Sequence, residues 1–230
     1  MERALEAAAR RGARVVVRLE AHPYRGAAGL ARANQRTAER LRAAGADASC
    51  VHPLHAKEIQ ADDSLFLDGR NWNESDFVIR DDDRSDLATT KRAALESEAS
   101  LLSSATQSDR VLVESESFGS GNPVYVALDA LAYRCAAPRL LVSARDLREE
   151  PRERAILQHL QRDGVDVRIC DNSEKFALTG ERAWIGSANA TYDGFSKDMP
   201  DWGLCTDSAD VVSAARERLE RRWHAARPLR

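Results

Sequence analysis

Short aliphatic runs alternate along this chain with longer stretches whose apolar residues recur at helical spacing. Arg14-Val15-Val16-Val17 and Arg139-Leu140-Leu141-Val142 are brief, aliphatic and flanked by polar residues, which predicts buried strands. Each follows an Ala-rich helical stretch, the later one spanning 125–134. Behind each strand comes a predicted helix ending in glycine: 34–44 closes at Gly45, and 151–163, which opens on Pro151, closes at Gly164. Proline at a helix start and glycine just past its end is the expected asymmetry. Both glycines lead into predicted strands, 46–51 and 165–170, the second with clean polar–apolar alternation. A hairpin follows in each case, with turns at 61–64 and 179–181 and return strands at 65–67 and 183–185. Closing strands at 76–79 and 201–204 precede helices expected from Ser85 and from Ala209.

The same order of elements therefore occurs twice, and strands alternating with helices imply an α/β fold. The first repeat is placed at 1–107 and the second at 108–230, with the stretch 87–107 holding the closing helix of the first and a linker. The second repeat has an extra leading strand, Arg110-Val111-Leu112-Val113-Glu114, without a counterpart in the first. The first repeat is thus expected to be shortened at its N-terminus.

Composition narrows the class. The chain has 230 residues, 43% hydrophobic and 31% charged, and can bury a real core. No apolar run approaches the roughly 20 residues of a membrane span, and the start, Met1-Glu2-Arg3-Ala4-Leu5-Glu6, lacks the pattern of a secretory signal. A cytoplasmic location, with peripheral contact at an inner membrane face, is the expectation. The net charge of −3 argues against gripping nucleic acid by bulk positive charge. Four cysteines, Cys50, Cys135, Cys170 and Cys205, stand far apart and read as buried thiols. Thirty of the 34 basic residues are arginine, which draws attention to each of the four lysines.

Two of those lysines fall at matched positions. From Lys57 to Asn71 is 14 residues, and from Lys175 to Asn189 is also 14. In the first repeat the sequence reads His55-Ala56-Lys57, then Asp62, then Gly69-Arg70-Asn71; in the second, Lys175 is followed by Gly186-Ser187-Ala188-Asn189. His and Lys two apart on a strand share a face. An imidazole nucleophile beside fixed ammonium charge suits an anionic phosphoryl centre. A carboxylate elsewhere could orient the ring, and an asparagine amide adds a donor to a phosphate oxygen.

These motifs resemble the phospholipase D superfamily, whose mark is His-x-Lys-x4-Asp followed by Gly-Ser-x-Asn, present twice. His55 through Asp62 matches the first part, Asp68-Gly69-Arg70-Asn71 is similar to the version in cardiolipin-synthase-like members, and Gly186 through Asn189 matches the second part literally. The resemblance implies a pseudo-twofold α/β duplication with mixed sheets flanked by helices and one active site between the repeats. It implies a phosphodiesterase or phosphatidyltransferase that works through a phosphohistidine at His55, without metal or cofactor. Lys57 and Lys175 would hold the phosphate oxygens, Asn71, Ser187 and Asn189 would complete the cradle, and Asp62 would support it. A phospholipid is the expected substrate ahead of nucleic acid, with the oligomeric state left open.

The second motif departs from the pattern. Ser173 stands where the second histidine belongs, and Gly180 where the second aspartate belongs. An alcohol with no evident base is a poor general acid. Asp171 and Glu174 flank the gap and offer carboxyls for that task if their pKa values are raised. A catalytically impaired phosphate-binding protein and a nuclease of the same superfamily are the alternatives. Elsewhere, Asp81-Asp82-Asp83 reads as a solvated helix start, and His22-Pro23-Tyr24-Arg25-Gly26 as a loop near a substrate entrance. His159 reads as a surface or packing residue on a helix. Phe118-Gly119-Ser120-Gly121 has an incomplete dinucleotide fingerprint and reads as an ordinary flexible connection.

Overall fold

The computed structural model of the chain describes residues 1–23, 28–61, 64–68, 78–81, 86–134, 137–149, 151–171, 174–192 and 197–230. These pack as two units, 1–55 and 56–230. The repeats proposed from sequence, 1–107 and 108–230, are divisions of ancestry, which packing does not test.

The first unit holds α1 (Glu2–Arg10), β1 (Val16–Glu20), α2 (Ala28–Ala43) and β2 (Asp47–Val51). Strands β1 and β2 pair in parallel, from Val16 opposite Asp47 to Glu20 opposite Val51. Helix α2 starts six residues before the expected Asn34, because Ala28-Gly29-Leu30-Ala31-Arg32-Ala33 is mostly strong helix former. The core here is small: Leu41 packs with Ala9, Ala38, Ala44, Ala46 and Ala48.

The second unit opens with the antiparallel sheet β3 (Glu58–Ala61), β4 (Ser64–Asp68) and β5 (Val78–Asp81). Next come β6 (Leu87–Thr90), α3 (Lys91–Ser103), β7 (Val111–Ser115), α4 (Pro123–Ala132) and β8 (Arg139–Ser143). They are followed by α5 (Asp146–Glu149), α6 (Pro151–Asp163), β9 (Asp166–Cys170), β10 (Lys175–Thr179), β11 (Arg182–Gly186), β12 (Pro200–Thr206), α7 (Ala209–Ala225) and β13 (Arg227–Pro228). Eight strands form one sheet in the order β13-β9-β8-β7-β10-β11-β12-β6. Strands β7, β8 and β9 run parallel, and β10, β11 and β12 form an antiparallel meander beside them. The mixed α/β architecture follows the hydrophobic pattern. The helix expected from Ser85 starts instead at Lys91, because the β-branched pair Thr89-Thr90 favours extended backbone, and Thr90 Oγ1 then caps the helix by accepting from Ala93 N at 3.3 Å.

Alternation along the strands builds two cores on the two sheet faces. Val111 and Val113 join Leu140, Val142, Leu128, Leu131, Leu157 and Leu160 under α3, α4 and α6. The intervening Leu112 joins Leu141, Phe176, Leu178, Trp202 and Leu219 on the α7 side, where Leu65, Leu67 and Ile79 of the smaller sheet also pack. The leading strand β7 is the bridge of the large sheet, since it pairs with β8 on one side and β10 on the other. In the first half the parallel pair β1-β2 and the meander β3-β4-β5 are separate sheets. No described helix is long and apolar enough to cross a membrane.

Gly186 of the Gly-Ser-Ala-Asn motif has a packing reason. It faces Gly203 across β11 and β12, and the Trp184 ring lies over both. A Cβ at Gly186 would stand 2.5 Å from the Trp184 ring and 2.7 Å from Trp202 O; one at Gly203 would stand 2.7 Å from Trp184 Nε1 and 2.9 Å from Ala94 Cβ. The indole is pinned from behind by donating to Ser97 Oγ of α3 at 2.9 Å. Gly203→Ala is therefore expected to cost about 1–3 kcal/mol through overpacking, seen as a lower urea midpoint at unchanged m-value; an unchanged midpoint would show that the indole can move aside.

Candidate active site

The second unit brings the two motif lysines together at the end of the large sheet where the parallel strands finish. Lys175 opens β10 beside the end of β7, since Phe176 pairs with Glu114. Lys57 lies just before β3, and its carbonyl accepts from Asp68 N at 3.0 Å, which extends the β3–β4 ladder by one residue. Two further hydrogen bonds dock this hairpin on the start of β12: Ala56 N donates to Pro200 O at 3.0 Å, and Trp202 Nε1 donates to Asp68 O at 3.2 Å. The backbone thus carries Lys57 to Asp201. Local pairing of the kind that hairpin sequences specify, plus these two bonds, is what joins residues more than 110 positions apart.

Three carboxylates surround the ammonium pair. Lys175, 3% exposed, holds Glu116 Oε2 at 3.0 Å from Nζ. Asp201 and Asp68 are buried and, with Glu116, act on Lys57 as favourable charges. They do not fully compensate. Burial first, and then the positive charge of Lys175, push the Lys57 ammonium down to about 7. Desolvation and a like charge both disfavour the protonated form. An incoming dianion would reverse the second of these effects.

The Gly-Ser-Ala-Asn segment is fixed on both sides. Ser187 Oγ donates to Asp201 Oδ1 at 2.5 Å and accepts from Trp202 N at 3.1 Å, while Ser187 N donates to Trp202 O at 2.9 Å. Ala190 N donates to Ser115 Oγ at 3.1 Å. Gly119 N donates to Ala190 O at 2.8 Å, and Asn122 Nδ2 reaches the same carbonyl at 2.8 Å. The 118–121 connection is therefore not the loose link expected from sequence. It runs beside residues 190–191, Glu153 Oε1 accepts from Phe118 N at 2.8 Å, and Asn122 Oδ1 caps α4 by accepting from Tyr125 N at 3.0 Å. Asn189 lies between these anchors, and its side-chain Oδ1 is enclosed with no hydrogen-bond partner. A buried amide without a partner is costly to fold around, and a ligand would supply one.

Of the residues singled out in the sequence, Lys57, Lys175, Ser187 and Asn189 lie in this unit. His55 is half-buried and is the last residue of the first unit. Asp62, Asn71 and Ser173 lie outside the described residues, as do Tyr24, Arg25, Gly26, Asp82 and Asp83. The strand expected to carry both His55 and Lys57 begins only at Glu58. Sequence reasoning missed Glu116, Asp68 and Asp201. Asp201 was readable in part, as the first residue of the predicted closing strand; Glu116, one acid in a Glu-Ser-Glu-Ser run, carried no signal.

Glu174, one of the carboxyls suggested as a proton donor, is engaged elsewhere. It is fully buried, Arg218 Nε donates to its Oε2 at 2.7 Å, and Arg222 pairs with it at 2.5 Å and with Glu114 at 2.5 Å. Two guanidinium groups from α7 take up its acceptor capacity, so it serves to dock α7 on the sheet.

A family profile described as "Cardiolipin synthase, PLD-like domain" matches residues 99–223, more than half of the chain. The chain belongs to this PLD-like family. Solved structures agree on the fold. Nuc of Salmonella typhimurium, a phospholipase D family member, is similar with a TM-score of 0.52 at 18% identity, over 63% of this chain and 97% of that one. NucT from Helicobacter pylori gives 0.51 at 17% identity, over 62% and 96%. Polyphosphate kinase from Porphyromonas gingivalis gives 0.59 at 16% identity, over 95% of this chain and 42% of that one. At these identities the likeness is one of fold. No curated protein matches the chain. PLD-like membership and fold together support phosphodiesterase or nuclease-type activity.

The lysine pair makes stability depend on pH in a definite direction. Unfolded, Lys57 binds its proton up to the ordinary lysine value near 10.4; folded, it releases it at about 7. Between those values the unfolded chain binds more protons, so this residue makes stability rise with pH across the window, and its cost is present in full below it. Lys57→Met is expected to be the more stable protein at pH 7 and to lose much of the gain the wild type shows between pH 7 and 9. Urea unfolding at both pH values checks this; parallel pH profiles for the two proteins would contradict it.

Proposed function

We propose that this protein is a phospholipase D-like phosphodiesterase whose phosphate cradle is made by Lys57, Lys175 and Asn189, with Asn71 and Asp62 completing it and Ser187, whose donors are taken by Asp201 and Trp202, positioning the segment. The observation that carries the reading is the juxtaposition of Lys57 and Lys175, the two motif lysines from opposite halves of the chain, in one buried, acid-lined place. The repulsion that Lys175 exerts on the Lys57 ammonium is relieved by a phosphodiester anion, and more so by the charge that builds up at phosphorus in the transition state.

In this reading an imidazole nitrogen of His55 attacks phosphorus. The N–P bond forms as the bond to the leaving oxygen breaks, giving a phosphohistidine and releasing an alkoxide that takes up a proton. Water then attacks phosphorus, the N–P bond breaks, and the phosphate monoester leaves; a second alcohol in place of water gives transfer. Lys57 and Lys175 hold the non-bridging oxygens in both steps. The Ser187–Asp201 bond fixes the cradle without entering the reaction. With Ser173 in place of the second histidine and Glu174 committed to arginines, protonation of the leaving group is the weak step. Activated diesters, whose leaving anion is stable, are the substrates this site handles best. Phospholipid is proposed ahead of nucleic acid, because the net charge of −3 gives no general attraction for a polyanion.

Bis(p-nitrophenyl) phosphate tests the assignment. Wild type is expected to release p-nitrophenol, His55→Ala to lose at least 100-fold, and Ser173→His to equal or exceed wild type. A wild type and a Ser173→His variant that are both inert would sink the enzymatic reading and leave a phosphate-binding protein without turnover.

A further inference from the structure

Away from the lysine pair, α4 and α6 end side by side. A Cβ on Gly164, the residue after α6, would sit 3.5 Å from the carbonyl oxygen of Ala132, the last residue of α4. Each helix brings a carboxylate to this meeting point: Asp129 lies in the last turn of α4, and Asp163 is the final residue of α6. Both positions face the negative end of a helix dipole, where cations are favoured and carboxylates are not. Asp129 Oδ1 and Asp163 Oδ2 are both enclosed from solvent, and Asp129 Oδ1 accepts no hydrogen bond. His159, one turn before Asp163, places Nδ1 2.6 Å from Asp163 Oδ2. One ligand atom from each of Asp129, His159 and Asp163 lies within 4.8 Å of the others.

Other ionisable groups stand on the same two helices. Tyr125 on α4 has its hydroxyl held above the ordinary tyrosine range, by burial first and then by the charges of Asp129 and Asp163, with Tyr133 adding to them. Arg134 and Arg162 belong to the same turns and are exposed. Two carboxylates, two helix C-termini and one exposed imidazole therefore converge on a single place.

We propose that Asp129, His159 and Asp163 bind one divalent transition-metal ion of the zinc class, which clamps α4 to α6. Two oxygens and an imidazole nitrogen are ligands suited to this ion, and water would complete the coordination. Tetrahedral bonds of about 2.0–2.1 Å put ligand atoms roughly 3.3 Å apart. The His159–Asp163 pair must therefore open from 2.6 Å, which a half-turned, solvent-exposed ring allows. A proton competes with the ion for the imidazole lone pair and the carboxylate oxygens, so binding weakens as pH falls. This site lies outside the proposed phosphodiester chemistry and takes no part in it.

Zinc chloride added to the metal-stripped full chain is the test. Zinc at a hundredfold excess over its Kd is expected to raise the Tm by roughly 5–10 °C. Cobalt should give d–d absorption with one-to-one stoichiometry. His159→Ala and Asp129→Asn should lose both responses. Metal-free Asp129→Asn should also be no less stable than metal-free wild type, because it removes a negative charge from the C-terminal turn of α4 beside a second carboxylate; a loss of stability would mark Asp129 as purely structural and overturn the proposal. A wild type indifferent to zinc would overturn it, as would a zinc response that survives in either variant, for example through His22 and His52, whose rings lie 5.2 Å apart.

Discussion

Two ammonium groups held near one another in a place with little water are the constraint on which the functional reading depends. Like charges there repel strongly, because the medium screens them poorly. Folding tolerates the arrangement through Glu116, Asp68 and Asp201 and through a Lys57 side chain that gives up its proton far below the ordinary lysine range. A protein with no use for concentrated positive charge would gain stability by losing Lys57. That the fold brings both to one place, from opposite halves of the chain, is the reason to read the place as an anion site.

The surrounding structure serves to hold that arrangement. Gly186 and Gly203 let Trp184 lie flat between the sheet and α3, which sets the height of the segment carrying Ser187 and Asn189. Asp201 fixes Ser187 from one side, and residues 115–122 fix Ala190 from the other. On the opposite face, Arg218 and Arg222 clamp Glu174 and Glu114 and so fasten α7 behind the start of β10. These buried ion pairs need not add much net stability, but removing one partner strands a charge and is costly.

The strands were legible because short aliphatic runs such as Val111-Leu112-Val113 stand between polar flanks, and because polar and apolar residues alternate over 165–170. The helix bounded by Pro151 and Gly164 was legible from its punctuation alone. What the sequence hid was non-local. Thr89-Thr90 looked like the interior of a polar helix, and only pairing with β12 makes residues 87–90 a strand. The 118–121 connection looked loose because its anchors, Glu153 and Ala190, are distant in sequence. Among the site residues, the lysines stood out through scarcity and matched spacing. Glu116 and Asp68 did not, since an acid in a chain with 37 of them carries no mark of its role.

With four lysines in the chain, their side-chain ammonium groups can be followed one by one by NMR after isotopic labelling, each assigned by substitution. The Lys57 resonance is expected to titrate near neutrality and to move to a clearly higher pH when vanadate or inorganic phosphate is added, and Lys175→Met is expected to raise it without any anion. Four lysines that all titrate in the ordinary range and ignore both anions would contradict the claim that these two side chains form one phosphate-holding site.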